Sequence, residues 1–204
     1  MDLVGLIFNL KKGPVGEIVA GRMKEFEEFG EKRKDEVFGE LCFCLMTANF
    51  SAERCIDIQK KMGRDFGILS EKELALELKK HGHRFPNTRA NYIFEARSCE
   101  LDLNNLVGGG KQRREELVER IKGLGMKEAS HFLRNVGFRD VAIIDFHIID
   151  LLRREKLIGD FKSLNKKKYL EIERVLEDLA RKVGLNLAEL DLYLWYLETG
   201  KVLK

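Results

Sequence analysis

The sequence predicts an all-α fold, and three observations support this prediction. Apolar residues recur at helical spacing along most of the 204 residues, no alternating run is long enough for a convincing strand, and glycine or proline separates the helical stretches. The hydrophobic content of 44% is ordinary for a globular chain. A chain of this length can build one sizeable core or two small lobes, and we expect about ten helices with short connections.

The predicted elements follow one another with few ambiguous segments. The first apolar run, residues 4–10, is compatible with a strand or a helix. Amphipathic helices are then predicted over 16–29 and 31–49, separated by Gly30. Shorter helical patterns follow at 52–62, 71–80, 88–99, 113–122, 126–136, 145–155, 166–183 and 187–198.

Polar residues at the start of several helices indicate where these begin. Ser70 with Glu73 has the spacing of a capping box, and Asn186 with Glu189 has the same spacing. Asp145 is placed to cap the helix that opens with Phe146. These signals support helix boundaries that periodicity alone leaves uncertain.

We expect the helices to form two lobes. Residues 31–140 would form lobe one, which contains a hairpin of two helices at 113–136. Residues 1–30 together with 141–204 would form lobe two, with the hairpin near the cleft between the lobes. The second lobe would therefore be discontinuous in sequence.

The charge balance carries no global signature of a nucleic-acid-binding protein. The chain is 35% charged, but its net charge is only +3, so any basic footprint must be local. Basic pairs such as Arg113-Arg114 are interpreted here as solvated helix faces.

The cysteines and the absence of long apolar runs indicate a cytoplasmic protein. Four cysteines are present without a C-x-x-C pair, and three of them lie in apolar helical stretches, so we expect reduced, buried thiols. No apolar run approaches the ~18 residues of a membrane span. The N-terminus lacks the basic and apolar regions of a signal peptide.

The most informative segment runs from the turn of the hairpin to Asp145. Gly123-Leu124-Gly125 separates two helical patterns, Lys127 stands two residues beyond, and Asp145 lies eighteen residues after Lys127. Glycine amides at a helix start can bind phosphate, and a lysine beside them can act as a nucleophile if a carboxylate manages its proton. A glycine turn alone is more typical of a plain αα-hairpin, so the interpretation depends on Lys127 and Asp145.

This pattern resembles the signature of the helix-hairpin-helix DNA glycosylase superfamily, in which a lysine of the second hairpin helix marks the bifunctional members. The loop at 137–141 lacks the proline usual in that motif, and the cysteines of the iron–sulfur branch are absent. Three further segments carry the resemblance, and they point to the compact prokaryotic 8-oxoguanine DNA glycosylase/AP lyases, the second Ogg class. They are residues 45–51 (LMTANFS), 84–90 (RFPNTRA) and 195–204 (WYLETGKVLK).

The resemblance implies a mechanism and a role for each residue. Lys127 attacks C1′ of the damaged nucleotide, expels the base through a Schiff base and nicks the strand 3′ of the lesion by β-elimination, assisted by Asp145. Gly123 and Gly125 bind the DNA backbone, to which His147 adds a phosphate contact. Asn49 fills the gap that the extruded nucleotide leaves or contacts the orphaned partner base.

Recognition of the oxidised base is assigned to three residues. Phe85 and Trp195 are candidates for stacking on the base, and the side chain and terminal carboxylate of Lys204 could both enter its pocket. The resemblance implies that this terminus distinguishes 8-oxoguanine from guanine. His81 and His83 lack a third ligand, so no metal is expected.

The resemblance further implies no cofactor, because the lysine supplies the covalent chemistry. We expect a monomer whose partner is double-stranded DNA containing 8-oxoguanine, with no membrane partner. Two alternatives stay open: a related glycosylase/lyase for oxidised pyrimidines or mismatched bases, and a non-catalytic helix-hairpin-helix module that binds DNA without cutting it.

Overall fold

The computed structural model describes residues 2–99 and 108–204, and regular secondary structure within these ranges is entirely α-helical. The all-α prediction is confirmed, with twelve helices in the described ranges instead of about ten. These are α1 (Leu3–Lys11), α2 (Pro14–Gly30), α3 (Lys34–Thr47), α4 (Ala52–Met62), α5 (Asp65–Ile68), α6 (Glu71–Lys80), α7 (Pro86–Ala96), α8 (Gly110–Arg120), α9 (Met126–Asn135), α10 (Phe146–Arg154), α11 (Lys166–Val183) and α12 (Leu187–Thr199).

The ambiguous N-terminal segment is helix α1, and the start of α7 differs from the prediction for a local reason. The Asp2 side chain accepts a hydrogen bond from the Gly5 amide and caps α1. Pro86 begins α7 at its first position instead of separating it from the preceding chain, because a helix start does not need the missing amide. The four-residue α5 was not predicted, since one helical turn is too short to show periodicity.

The predicted caps are confirmed. Both capping boxes form with their reciprocal hydrogen bonds at the starts of α6 and α12. The Asp145 carboxylate caps α10 by accepting a hydrogen bond from the Ile148 amide at 3.0 Å. These short-range interactions fix helix boundaries without reference to tertiary packing.

Two hydrophobic clusters divide the buried residues, in agreement with the two-lobe prediction. One cluster gathers buried residues between Val37 and Val141, including those of α3, α4, α6, α7 and α9. The other gathers residues of α1 and α2 with those of α10, α11 and α12. The lobe boundaries near residues 30 and 140 stay a prediction.

The turn of the hairpin requires glycine at position 123 for two physical reasons. Gly123 has φ +84°, a conformation that side chains with a Cβ rarely adopt. A Cβ at this position would also lie 2.1 Å from the ring of Tyr92. Leu124, the next residue, is buried in the first hydrophobic cluster.

A buried ion pair ties the hairpin to helix α11. The Arg114 guanidinium donates to both carboxylate oxygens of Glu173, at 2.5 and 2.8 Å. The Ala142 amide and the Ser130 hydroxyl complete the network around these two side chains. Arg114 is 1% exposed, so its interpretation as part of a solvated face was wrong. None of the described helices meets the length and hydropathy needed to cross a membrane.

Candidate active site

A cavity of about 1080 Å³ lies where the two clusters meet, and six of the predicted site residues line it. Its walls come from the α3–α4 connection, the start of α9, the start of α10, the last turns of α12 and the tail beyond α12. The six residues are Asn49, Lys127, Asp145, His147, Trp195 and Lys204. Residues that are far apart in the sequence therefore surround one space.

Lys127 and Asp145 both stand at helix starts beside this cavity. Lys127 is the second residue of α9, with its side chain 24% exposed and its ammonium 3.6 Å from Glu128 Oε1. Asp145 uses Oδ1 to cap α10, and no residue within the described ranges donates a hydrogen bond to its Oδ2. The cap fixes the carboxylate in place and leaves one oxygen for the cavity.

Three buried polar residues of the cavity were not assigned a role from the sequence. Asp191 in α12 lies 3.6 Å from Arg134 in α9, and both side chains are almost inaccessible to solvent. Burial raises the pKa of Asp191 to about 6, and the charge of Asp145 adds to this effect, whereas Arg134 and Lys127 oppose it. The available signal was a single carboxylate within the apolar run of residues 190–195.

The third of these residues, His131, has an uncharged ring at neutral pH. Burial, together with the positive charges of Arg134 and Lys127, holds the pKa of His131 well below its ordinary value. Its ring packs edge-on against Phe43, with the ring centroids 5.4 Å apart, and lies beside the backbone of Lys204. Both ring nitrogens are buried, and neither makes a well-aligned hydrogen bond within the described residues.

The loop that carries Asn49 is held in an unusual conformation. Asn49 is exposed and has φ +58°, a left-handed backbone conformation. The backbone at the start of this loop is held from α7 and the turn before it. Arg89 donates to the Ala48 carbonyl at 2.7 Å, and the His83 ring contacts the carbonyl of Met46, in the last turn of α3, at 3.1 Å. The Asn49 side chain therefore projects from a braced turn at the cavity wall.

The aromatic candidates are placed differently from each other. Trp195 and His147 both line the cavity. Their rings pack edge-on, with centroids 4.9 Å apart. Phe85 is half-buried outside the residues that line the cavity, and the guanidinium groups of Arg84 and Arg89 lie over its ring. Only Trp195 thus has direct access to the cavity in this conformation.

The hairpin glycines lie at the surface, outside the residues that line the cavity. Gly123 and Gly125 are exposed, and within the described ranges neither amide donates to a protein acceptor. Gly125 is the N-cap of α9, so its amide lies at the positive end of that helix dipole. In residues 2–99 and 108–204, no three histidine, cysteine, aspartate or glutamate side chains are grouped to hold a metal ion.

Comparisons with known proteins agree on one family. The family model described as 8-oxoguanine DNA glycosylase matches residues 19–185. The 8-oxoguanine DNA glycosylases/AP lyases of Korarchaeum cryptofilum and Methanocaldococcus jannaschii are each 50% identical to this chain over its full length, and the matches cover 98% and 100% of those proteins. The crystal structure of the Methanocaldococcus jannaschii 8-oxoguanine glycosylase/lyase in complex with 15mer DNA containing 8-oxoguanine superposes with a TM-score of 0.94, at 48% identity and 99% coverage of both chains.

Proposed function

Because this chain belongs to the 8-oxoguanine DNA glycosylase family, we propose that its cavity takes an 8-oxoguanine nucleotide extruded from duplex DNA, with Lys127 as the nucleophile. The protein is a DNA glycosylase with AP lyase activity. One observation carries the assignment of the residues: Lys127 and Asp145, eighteen positions apart in the sequence, line the same cavity.

The covalent steps follow from the chemistry of an amine at C1′. Lys127 Nζ forms a bond to C1′ while the bond between C1′ and the base breaks, and the base leaves with the electron pair and takes up a proton. Loss of the amine proton and opening of the sugar ring give a Schiff base. Removal of a proton from C2′ then expels the 3′ phosphate, which nicks the strand 3′ of the lesion.

Asp145 supplies what this sequence of steps needs from a carboxylate. An amine attacks only in its unprotonated form, so a proton acceptor beside Lys127 is required. Asp145 can accept that proton and stabilise the positive charge that develops on the sugar as the base departs. Its capping bond to the Ile148 amide keeps the carboxylate fixed during both steps.

The remaining residues hold the DNA and the base. The free amides of Gly123 and Gly125 bind a backbone phosphate at the start of α9, and His147 adds a second phosphate contact. Asn49 enters the gap that the extruded nucleotide leaves. Trp195 stacks on the base inside the cavity and Lys204 reads it, whereas Phe85, which lies outside the cavity lining, is assigned no contact with the base.

We place this activity in a monomer in the cytoplasm. All four cysteines are free thiols, as is usual in a reducing compartment. The double-stranded DNA that carries the lesion is the partner.

Borohydride trapping tests the proposal, because it converts a Schiff base into a permanent covalent link between protein and DNA. The substrates are matched duplexes containing 8-oxoguanine, guanine, thymine glycol or an abasic site. We expect an adduct with the 8-oxoguanine duplex and none with the guanine duplex. An adduct with thymine glycol instead would favour the oxidised-pyrimidine alternative, and no adduct with any duplex would favour a non-catalytic module.

Two variants of the hairpin identify the nucleophile. Lys127→Gln should abolish trapping and base release while lesion binding is largely retained. Lys122→Gln is the matched control, because Lys122 is an exposed lysine of the same hairpin that pairs with Glu95 at 2.8 Å. Trapping by Lys127→Gln at the parent level would show that another amine is the nucleophile.

A further inference from the structure

The side chain of Lys204 is held in a buried socket that belongs to lobe one. We call the residues around it the lysine socket: Glu40 and Phe43 of α3, Gln59 of α4 and Asn135 of α9. The Lys204 ammonium donates to Glu40 Oε2 at 2.7 Å and to the Gln59 side-chain carbonyl, and it lies 4.2 Å from the centroid of the Phe43 ring.

The socket is complete around its carboxylate. Glu40 is 2% exposed, and its Oε1 accepts a hydrogen bond from Asn135 Nδ2 at 2.6 Å. Gln59 Nε2 donates to Oε2 at 3.0 Å and to the Gly39 carbonyl at 2.9 Å. A buried charge is costly unless it is paired, and within the described residues Lys204 makes the ion pair with Glu40.

The socket anchors the tail across the cavity. The tail begins after α12, whose buried residues belong to the second hydrophobic cluster, whereas the socket is built on α3, α4 and α9. Leu203 and Lys204 line the cavity, and the Lys204 backbone lies beside the His131 ring. Binding of the ammonium to Glu40 thus determines where the Lys204 main chain lies against the cavity.

We propose that Glu40 is a positioning residue for base recognition: it holds the Lys204 side chain in the socket and thereby fixes the Lys204 main chain at the cavity wall. This inference rests on the proposed function, since it concerns the reading of the extruded base. Oxidation at C8 turns N7 of guanine from an acceptor into a donor. A main-chain oxygen distinguishes 8-oxoguanine from guanine only if it is placed within hydrogen-bonding distance and angle of N7.

The test compares two rates measured under single-turnover conditions. One is base excision from a duplex containing 8-oxoguanine, and the other is nicking of a duplex with a preformed abasic site, which has no base to read. In Glu40→Gln we expect the ratio of excision to abasic-site nicking to fall at least about tenfold. Glu198→Gln is the matched control, because Glu198 is also a shielded, ion-paired carboxylate, 12% exposed beside Arg154, and lies outside the cavity lining.

A second variant keeps the test decisive if Glu40→Gln does not fold. Lys204→Met removes the ammonium and keeps the main chain, and it should lower the same ratio by a similar factor. The double variant should be no worse than the more affected single variant, because both changes break one interaction. Glu40→Asp, which keeps the charge, should recover part of the ratio.

Each outcome has a distinct meaning. A ratio that stays at the parent value in both single variants would overturn the positioning role. A parallel fall of both rates, together with a lower unfolding temperature, would reduce the socket to a structural role and would also overturn it. Failure of the parent protein and of Glu198→Gln to excise or nick would instead contradict the proposed function.

Discussion

Replacing Gly123 by alanine should destabilise the protein through two separable effects. The residue has φ +84°, and an L-residue with a Cβ in the left-handed region costs roughly 1–2 kcal/mol. The new Cβ would lie 2.1 Å and 2.4 Å from two ring carbons of Tyr92, and overpacking of this kind costs about 1–3 kcal/mol. We therefore expect the free energy of unfolding to fall by about 2–5 kcal/mol.

The two effects can be separated by urea unfolding of a double-mutant cycle. In the Tyr92→Ala background the ring is absent, so Gly123→Ala should cost only the backbone part, about 1–2 kcal/mol. Gly21→Ala is the control, because Gly21 lies inside α2 and a Cβ there meets nothing within 4 Å. It should be neutral or should stabilise by up to about 1 kcal/mol.

Two results would refute this reasoning. If Gly123→Ala cost less than about 1 kcal/mol, neither strain nor crowding would explain the glycine. If Gly123→Ala lowered the free energy of unfolding equally with and without the Tyr92 ring, the contact with that ring would contribute nothing. The backbone conformation alone would then explain the glycine. Duplex binding measured beside stability would then show whether the turn is constrained by DNA instead.

Two further predictions concern buried carboxylates. Glu173→Gln leaves the Arg114 charge buried without its partner and should lower the free energy of unfolding by about 3–5 kcal/mol. The control is Glu177→Gln, at a partly exposed ion pair, which should change the free energy of unfolding by less than about 1 kcal/mol. Burial raises the pKa of Asp191 from 3.8 to about 6. The folded state therefore binds this proton more tightly than the unfolded state does. As pH rises from about 4 to about 7 and the proton is lost, the folded state should lose up to about 3 kcal/mol of stability. Urea unfolding should therefore show that the free energy of unfolding of Asp191→Asn, relative to that of the parent, rises by about 3 kcal/mol between pH 4 and pH 7. A relative stability that is the same at both pH values would contradict the pKa shift.

The helices could be predicted largely because their boundaries are encoded locally. The bounds of α4, α6 and α11 agree with the sequence prediction, since caps or glycines mark both ends. Lys127 and Asp145 could be proposed because the glycine turn and the helix cap give them recognisable surroundings in the sequence. These signals extend over a few residues and survive without knowledge of the tertiary structure.

The buried charges could not be predicted in the same way. Arg114 belongs to a basic pair that looks solvated, and Glu40 resembles any other helical glutamate until Lys204, 164 positions later, reaches it. Such residues acquire their surroundings only when distant helices pack together. Charged side chains are almost always exposed, so the sequence favours the wrong environment for each of them.

The burial of α9 bears on whether the hairpin could fold by itself. Every residue from Ala129 to Asn135 is buried, and the helix packs on α2 and α3 as well as on its hairpin partner α8. A hairpin that folds independently would have to bury its apolar residues between its own two helices. A peptide of residues 110–136 keeps only α8 to cover these side chains, so the conformation of the turn depends on helices outside the hairpin.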